Sequence, residues 1–221
     1  MTINEIIEIL SEGLGQTLYM TILSTIFAYL FGLPLGIILN ITSKDGITPC
    51  KPLNFILNLL VNVFRSLPFL ILLVFVMPLT KLIVGVKTGT TASIVPLVIA
   101  SVPFIARMVE SSLSEINKGV IEASEAMGTS KLKIIYKVLI PESKPSLLIG
   151  FSISIVTILG YSAMAGFIGG GGLGYIAYNY GFQRNEEEIM WITIILLIII
   201  VQIFQEVGMI IAKKIDHRIN K

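Results

Sequence analysis

From Pro145 to Gln183 the chain runs 39 residues without a Lys, Arg, Asp or Glu. A second uncharged run extends from Gly13 to Ser43. A water-facing surface cannot be built from such stretches. Soluble domains carry about 25% charged residues, whereas only 14% of these 221 residues are charged and 54% are hydrophobic. A helix crosses the hydrocarbon core with roughly 20 apolar residues. In lipid it must also satisfy its backbone polar groups internally. The expected class is therefore an all-α integral membrane protein.

Five spans are predicted, near residues 17–40, 53–77, 88–106, 146–167 and 189–212. Gly32 and Pro34 are candidate kink points in the first. The second is longer than a bilayer is thick, so its start is expected to protrude, with Arg65 snorkelling towards headgroups. The 39-residue run is too long for one span and is divided by the glycines of 166–174. Ahead of the first span, Ile3, Ile6, Ile7 and Leu10 repeat at helical spacing. This predicts a short amphipathic surface helix, with a frayed terminus as the alternative. Glu5, Glu8 and Glu12 stand where a secretory signal would carry Lys or Arg, so no cleavable leader is expected.

Lys and Arg concentrate on cytoplasmic loops. Of the 16, only Lys81, Lys87 and Arg184 fall on the side of the N-terminus, and 13 fall on the other. The N-terminus is therefore expected outside, and the C-terminus and the 107–144 loop in the cytoplasm. Cys50 and His217 are the only residues of their kinds, so neither a disulfide nor a metal cluster is expected. His217 reads as a solvated tail residue. Arg107 and Glu110 are spaced to pair, and Glu206 reads as structural, near the cytoplasmic end beside Lys213.

The 107–144 loop is too short to bury a core. Ile116, Val120, Ala123 and Met127 form an apolar stripe on a first predicted helix, beside a polar face of Glu110, Ser114 and Lys118. Gly128 is a natural C′ residue, and Thr129 or Ser130 could cap a second helix. On that helix Leu132, Ile135, Val138 and Leu139 line one side and Lys133 and Lys137 another, with Pro141 as its expected stop. Two readings stand at this point: a plug for a partner's groove, or a connector lying on anionic lipid through Lys131, Lys133 and Lys137.

The segment EASEAMG, nine further residues and VLIP resembles the EAA signature of importer permeases of ATP-binding cassette transporters. Glu122, Ala123, Gly128 and Pro141 match at the family's spacing. Ser124, Val138 and Ile140 replace its Ala, Ile and Leu. FRSLPFLILLV, VPFIARMVESSLSEI and GYSAMAGFIGGGGLGYIAYNYG are similar to the methionine-uptake branch. The resemblance implies one permease domain over 1–221, in a bacterial cytoplasmic membrane, forming the path for L- and D-methionine. It implies two cytoplasmic ATPase subunits coupled through the EAA loop, a second permease copy, and an extracellular or periplasmic substrate-binding protein. No catalytic residue, cofactor or nucleic-acid partner is expected.

Polar and soft side chains inside spans usually face protein or a cavity. Tyr161, Ser162 and Met164 are candidates for the substrate path, the polarizable thioether of Met164 suiting a thioether substrate, with Ser66 and Pro68 behind them. The competing assignment has the hydroxyls bonded to their own helix and Met164 filling a gap. Gly150 and Gly160 are candidates for close helix approach. Gly169, Gly171, Gly172 and Gly174 are candidates for an external gate. Their G-x-G-x-x-G spacing lacks the strand and helix that a nucleotide site needs. No G-x-x-x-x-G-K-S/T or H-E-x-x-H occurs. Another small solute, such as a different amino acid or an osmoprotectant, is the alternative cargo. An ATPase-independent secondary transporter would need ion-coupling groups beyond Arg65, Arg107 and Glu206.

Overall fold

The computed structural model describes residues 3–215. His217, read above as a solvated tail residue, lies outside them. Among the described residues all regular structure is helical. The elements are α1 (Ile3–Thr42), α2 (Lys51–Ser66), α3 (Phe69–Val84), α4 (Thr90–Ser114), α5 (Lys118–Ala126), α6 (Lys131–Ile134), α7 (Ile140–Glu142), α8 (Lys144–Ala165), α9 (Gly172–Ile176) and α10 (Glu187–Ile215). Ile135–Leu139 and Ala177–Gln183 are π-helical and Gly166–Ile168 is 3₁₀.

Among the described residues four helices are long and apolar enough to cross a membrane: α1, α4, the run Lys144–Ile168 that begins with α8, and α10. A fifth is added if α2 and α3 count as one broken span. In their most apolar windows, 56% of α4 is buried within the chain against 6% of α10. Of the four, α4 is thus the most buried and α10 the least. The ends of α10 suit its dipole, with Glu187 and Glu188 in the first turn and Lys213 and Lys214 in the last.

Two compact units divide the chain. One holds residues up to Ala28, Leu67–Ser101 and Ser154–Gln205. The other holds Tyr29–Ser66, Val102–Ile153 and the chain from Glu206 onward. In the first, Leu10, Leu159, Leu173, Ile176, Ile189 and Ile200 make one buried cluster. Met20, Phe69, Leu73, Leu97 and Ala165 make another. In the second, Leu39, Val61 and Ala106 form the core.

The separate N-terminal surface helix is corrected: residues 3–42 form one helix. Leu10 belongs to the buried cluster, and a side chain on Gly13 would collide with Ile176, so tertiary packing holds this first stretch in line with the rest. The single helix over 53–77 is also corrected. Helix α2 ends at Ser66 and α3 begins at Phe69, with the break at Leu67–Pro68. Proline has no N–H to donate and disfavours helical geometry at the residue before it, and Pro68 itself sits at φ −58°, ψ 134°. Pro34, by contrast, stays inside α1.

Close helix approach occurs elsewhere than expected. A Cβ on Gly160 would meet nothing within 4 Å, and one on Gly150 only the Met108 side chain at 3.5 Å. A Cβ on Gly32 would lie 2.8 Å from Ile105, and one on Gly36 would lie 2.5 Å from the Ala106 carbonyl oxygen. Two glycines four residues apart thus let α1 rest against the backbone of α4.

In the second unit α2 carries Asn54, Asn58 and Asn62 along one line. The Asn54 side-chain amide donates to the Leu39 carbonyl at 2.8 Å and the Thr42 hydroxyl at 3.1 Å. Asn58 donates to Asn54. Arg107 donates to Asn62 at 2.8 Å and pairs with Glu110 at 2.6 Å. An i, i+3 pair along one helix contributes only about 0.2–0.5 kcal/mol. Arg107 therefore acts chiefly as a tie between α4 and α2.

Candidate functional site

The loop that carries the EAA segment is built on a glycine turn. Asn117 caps α5, its side-chain oxygen accepting the Gly119 N–H at 2.8 Å. At the other end Gly128 adopts φ +74°. Its N–H donates to Glu125 at 2.9 Å, and the Thr129 N–H donates to Ser124 at 3.1 Å. These two bonds form a Schellman motif, satisfying carbonyls that the helix end would leave open. Ser130 N-caps α6 with its backbone geometry; its side chain makes no capping hydrogen bond.

Pro141 does not stop the second helix, correcting that expectation. The π-helical turn Ile135–Leu139, closed by the Ile140 N–H on Ile135, leads directly into α7 with Pro141 inside it. The wider turn loosens the backbone ladder where proline can neither donate nor fit its ring. The loop's two apolar stripes are each split. Ile116, Ser124, Ile134 and Leu139 are buried in the protein, while Ile135, Val138 and Ile140 are half-buried. Val120, Met127, Leu132 and Tyr136 are left exposed, Met127 at 77% and Leu132 at 69%. Glu122, Ala123, Gly128 and Pro141 are exposed as well. The buried set fixes the loop to its own chain, so the exposed set is free to meet something else.

The glycines of 166–174 form a tight turn. Gly169, Gly171 and Gly172 have φ of +82°, +77° and +77°, which side-chain-bearing residues rarely adopt. A Cβ on Gly166 would lie 2.6 Å from the Gly174 backbone, and one on Gly174 would collide with the backbone of Ala163. Two α1 residues absent from the sequence reading hold the turn. Gln16 accepts the Gly172 N–H at 2.7 Å, and the Thr17 hydroxyl accepts the Leu173 N–H at 2.8 Å. Thr17 in turn donates to Gly13 at 2.9 Å. Two polar side chains beside each other at the start of a long apolar run were the available signal.

Thr17→Val is expected to destabilise the purified protein by about 1–3 kcal/mol, because the buried Leu173 N–H loses its acceptor. Thr17→Ser should retain most of that. Thermal denaturation in detergent distinguishes the two, and equal melting for Val, Ser and wild type would refute the tie.

The candidate path residues do not share one environment. Tyr161 stacks on Phe69, ring centroids 4.5 Å apart and planes 5° from parallel. Phe69 immediately follows Pro68, so the proline bend and α8 are packed together through this pair. Ser162 is buried and its hydroxyl donates to Leu159 at 2.7 Å. Met164 is exposed on the same helix. Ser66 donates to Asn62 at 2.8 Å, one turn before the bend.

An all-helical chain with several bilayer-length helices, a broken helix pair and an exposed amphipathic loop has the architecture of a membrane transport component. Residues 32–221 match the model of the binding-protein-dependent transport system inner membrane component family. The chain is 47% identical over 211 residues to a probable D-methionine transport system permease of Vibrio cholerae, covering 96% of this chain and 94% of the relative. It is also 47% identical over 203 residues to the methionine import system permease of Bacillus subtilis, covering 92% and 91%. A solved chain of the inward-facing MetNI methionine transporter superposes with a TM-score of 0.96 at 42% identity, covering 98% of this chain and 100% of that one. A chain of an amino acid transporter crystallised with histidines, 19% identical, shares the fold with a TM-score of 0.79 over 97% and 100%. The chain belongs to the family of binding-protein-dependent transport inner membrane components. It is a transport permease of the bacterial inner membrane rather than an enzyme.

Proposed function

We propose that the chain forms the path by which methionine, in both enantiomers, enters the cell, within an ATP-driven importer. Two copies enclose the path, two cytoplasmic ATPase subunits drive it, and a substrate-binding protein delivers cargo outside. The observation that carries this reading is likeness along nearly the full length to two methionine permeases and to one solved methionine transporter chain.

The 107–144 loop lies in the cytoplasm and the N-terminus outside, an orientation supported by the placement of Lys and Arg. Glu122, Ala123, Ser124, Gly128, Val138, Ile140 and Pro141 shape the coupling segment. Its exposed apolar residues, Met127 and Leu132 above all, seat in a groove of the ATPase. ATP closure of the ATPase pair then moves the segment as a body, because Ile134 and Leu139 anchor it to the permease.

Tyr161 and Met164 line the path, with Ser66 and Pro68 at the bend that Phe69 joins to Tyr161. Ser162 keeps its hydroxyl on its own helix and contributes shape. Gly169, Gly171, Gly172 and Gly174 form the external gate. The spans are those near 17–40, 53–77, 88–106, 146–167 and 189–212, the second broken.

The test is uptake of labelled methionine in a strain lacking its own importer, with this chain supplied alongside its ATPase and binding protein. Uptake should depend on this chain and be competed by methionine above other amino acids and osmoprotectants. Stronger competition by another solute would assign that solute as the cargo, and uptake without the ATPase would make the chain a secondary transporter.

A further inference from the structure

A cavity of about 340 Å³ opens in the first unit beside the glycine turn, lined among others by Glu12, Gln16, Gly171, Tyr175 and Tyr180. Its only charged lining residue is Glu12, an exposed carboxylate with no ion pair recorded among the described residues. A carboxylate and a tyrosine ring lining one hollow attract an ammonium or guanidinium through charge and the ring face together. Tyr180 already carries a guanidinium on its ring, with Arg184 4.3 Å from the centroid, so the aromatic contact for a second cation falls to Tyr175.

Glu12 is also wired to the turn. Gln16 donates to the Glu12 carboxylate at 2.9 Å through its amide nitrogen and accepts the Gly172 N–H at 2.7 Å through its oxygen. A cation drawn to Glu12 competes with the Gln16 amide, and any shift of Gln16 is felt at Gly172. The space around Gly171 is tight as well, since a Cβ there would lie 2.6 Å from the Gln16 oxygen and 2.9 Å from the Thr90 hydroxyl.

We propose that this cavity is the socket for one cationic side chain of the docking substrate-binding protein, received by Glu12 with Tyr175 on the same lining, and that Gln16 relays its arrival to the glycine turn. The inference rests on the proposed function and orientation, which place the cavity on the outer face. The occupant is a partner's Lys or Arg, because an open, singly charged, partly aromatic hollow suits one projecting cation.

The experiment uses the complex of permease, ATPase and binding protein in lipid nanodiscs, with ATPase rate measured against the concentration of methionine-loaded binding protein. Glu12→Gln should raise the half-saturating concentration about 10-fold and flatten its dependence on salt, as loss of one interfacial charge contact does. Gln16→Leu should lower the stimulation reached at saturation more than it moves the half-saturation point. If Glu12→Gln matches wild type in both half-saturation and salt slope, the socket is refuted. If it lowers only the saturated rate, the cation is the substrate's own ammonium, which also overturns the proposal. Absence of any stimulation in the wild type would instead count against the proposed function.

Discussion

Gly128→Pro is expected to cut methionine uptake at least about 10-fold while ATP hydrolysis in the assembled complex continues. Proline fixes φ near −65° and has no N–H, whereas Gly128 sits at +74° and donates to Glu125. Both halves of the Schellman turn are therefore lost, at a cost of about 3 kcal/mol or more, and α5 and α6 no longer meet at the same angle. Gly128→Ala is the graded control. Nothing lies within 4 Å of a Cβ there, so its cost is only the left-handed backbone, about 1–2 kcal/mol. The measurement is molecules transported per ATP in proteoliposomes. A ratio for Gly128→Pro equal to wild type would sink the coupling role of this turn.

Gly36→Leu should leave almost no folded protein. Even the first added carbon would lie 2.5 Å from the Ala106 carbonyl oxygen and 2.6 Å from Val109. The first of these atoms is backbone and cannot swing aside. Overpacking costs about 1–3 kcal/mol where side chains can adjust, and more is expected where a helix must back away. Gly15 serves as the contrast on the same helix, with open space where its Cβ would be. Gly15→Ala should be tolerated or stabilise by up to about 1 kcal/mol through helix propensity. Size-exclusion profiles and thermal melts of both variants, purified side by side, decide the matter. A normal profile for Gly36→Leu would mean that α1 and α4 do not approach so closely.

Long uncharged runs gave away the helical membrane class, because lipid tolerates little else. The Gly128 turn was legible for a local reason: a Schellman end needs only a residue that accepts positive φ. Pro68 was visible as a proline but read as lying within a span, since the weight of apolar residues on both sides masked the break. Pro141 failed in the opposite direction, because its accommodation depends on a π turn that has no clear single-residue mark. The glycine contacts were misplaced for a tertiary reason. Gly160 and Gly36 look alike in sequence, and only the path of α4 decides which one meets a backbone. Gln16 and Thr17 went unnoticed because their partners lie 156 residues away.

The asparagine line on α2 bears on how the chain is made. Asn54 finds its partners, Leu39 and Thr42, on the helix that leaves the ribosome before it. Asn62 waits for Arg107, 45 residues downstream, which at about 5–20 residues per second takes seconds to appear. During that interval α2 can settle against α1 by one end while its other end has yet to meet its tie. The order of synthesis is thus written into the order of these contacts, and Arg107 is the clasp that closes last.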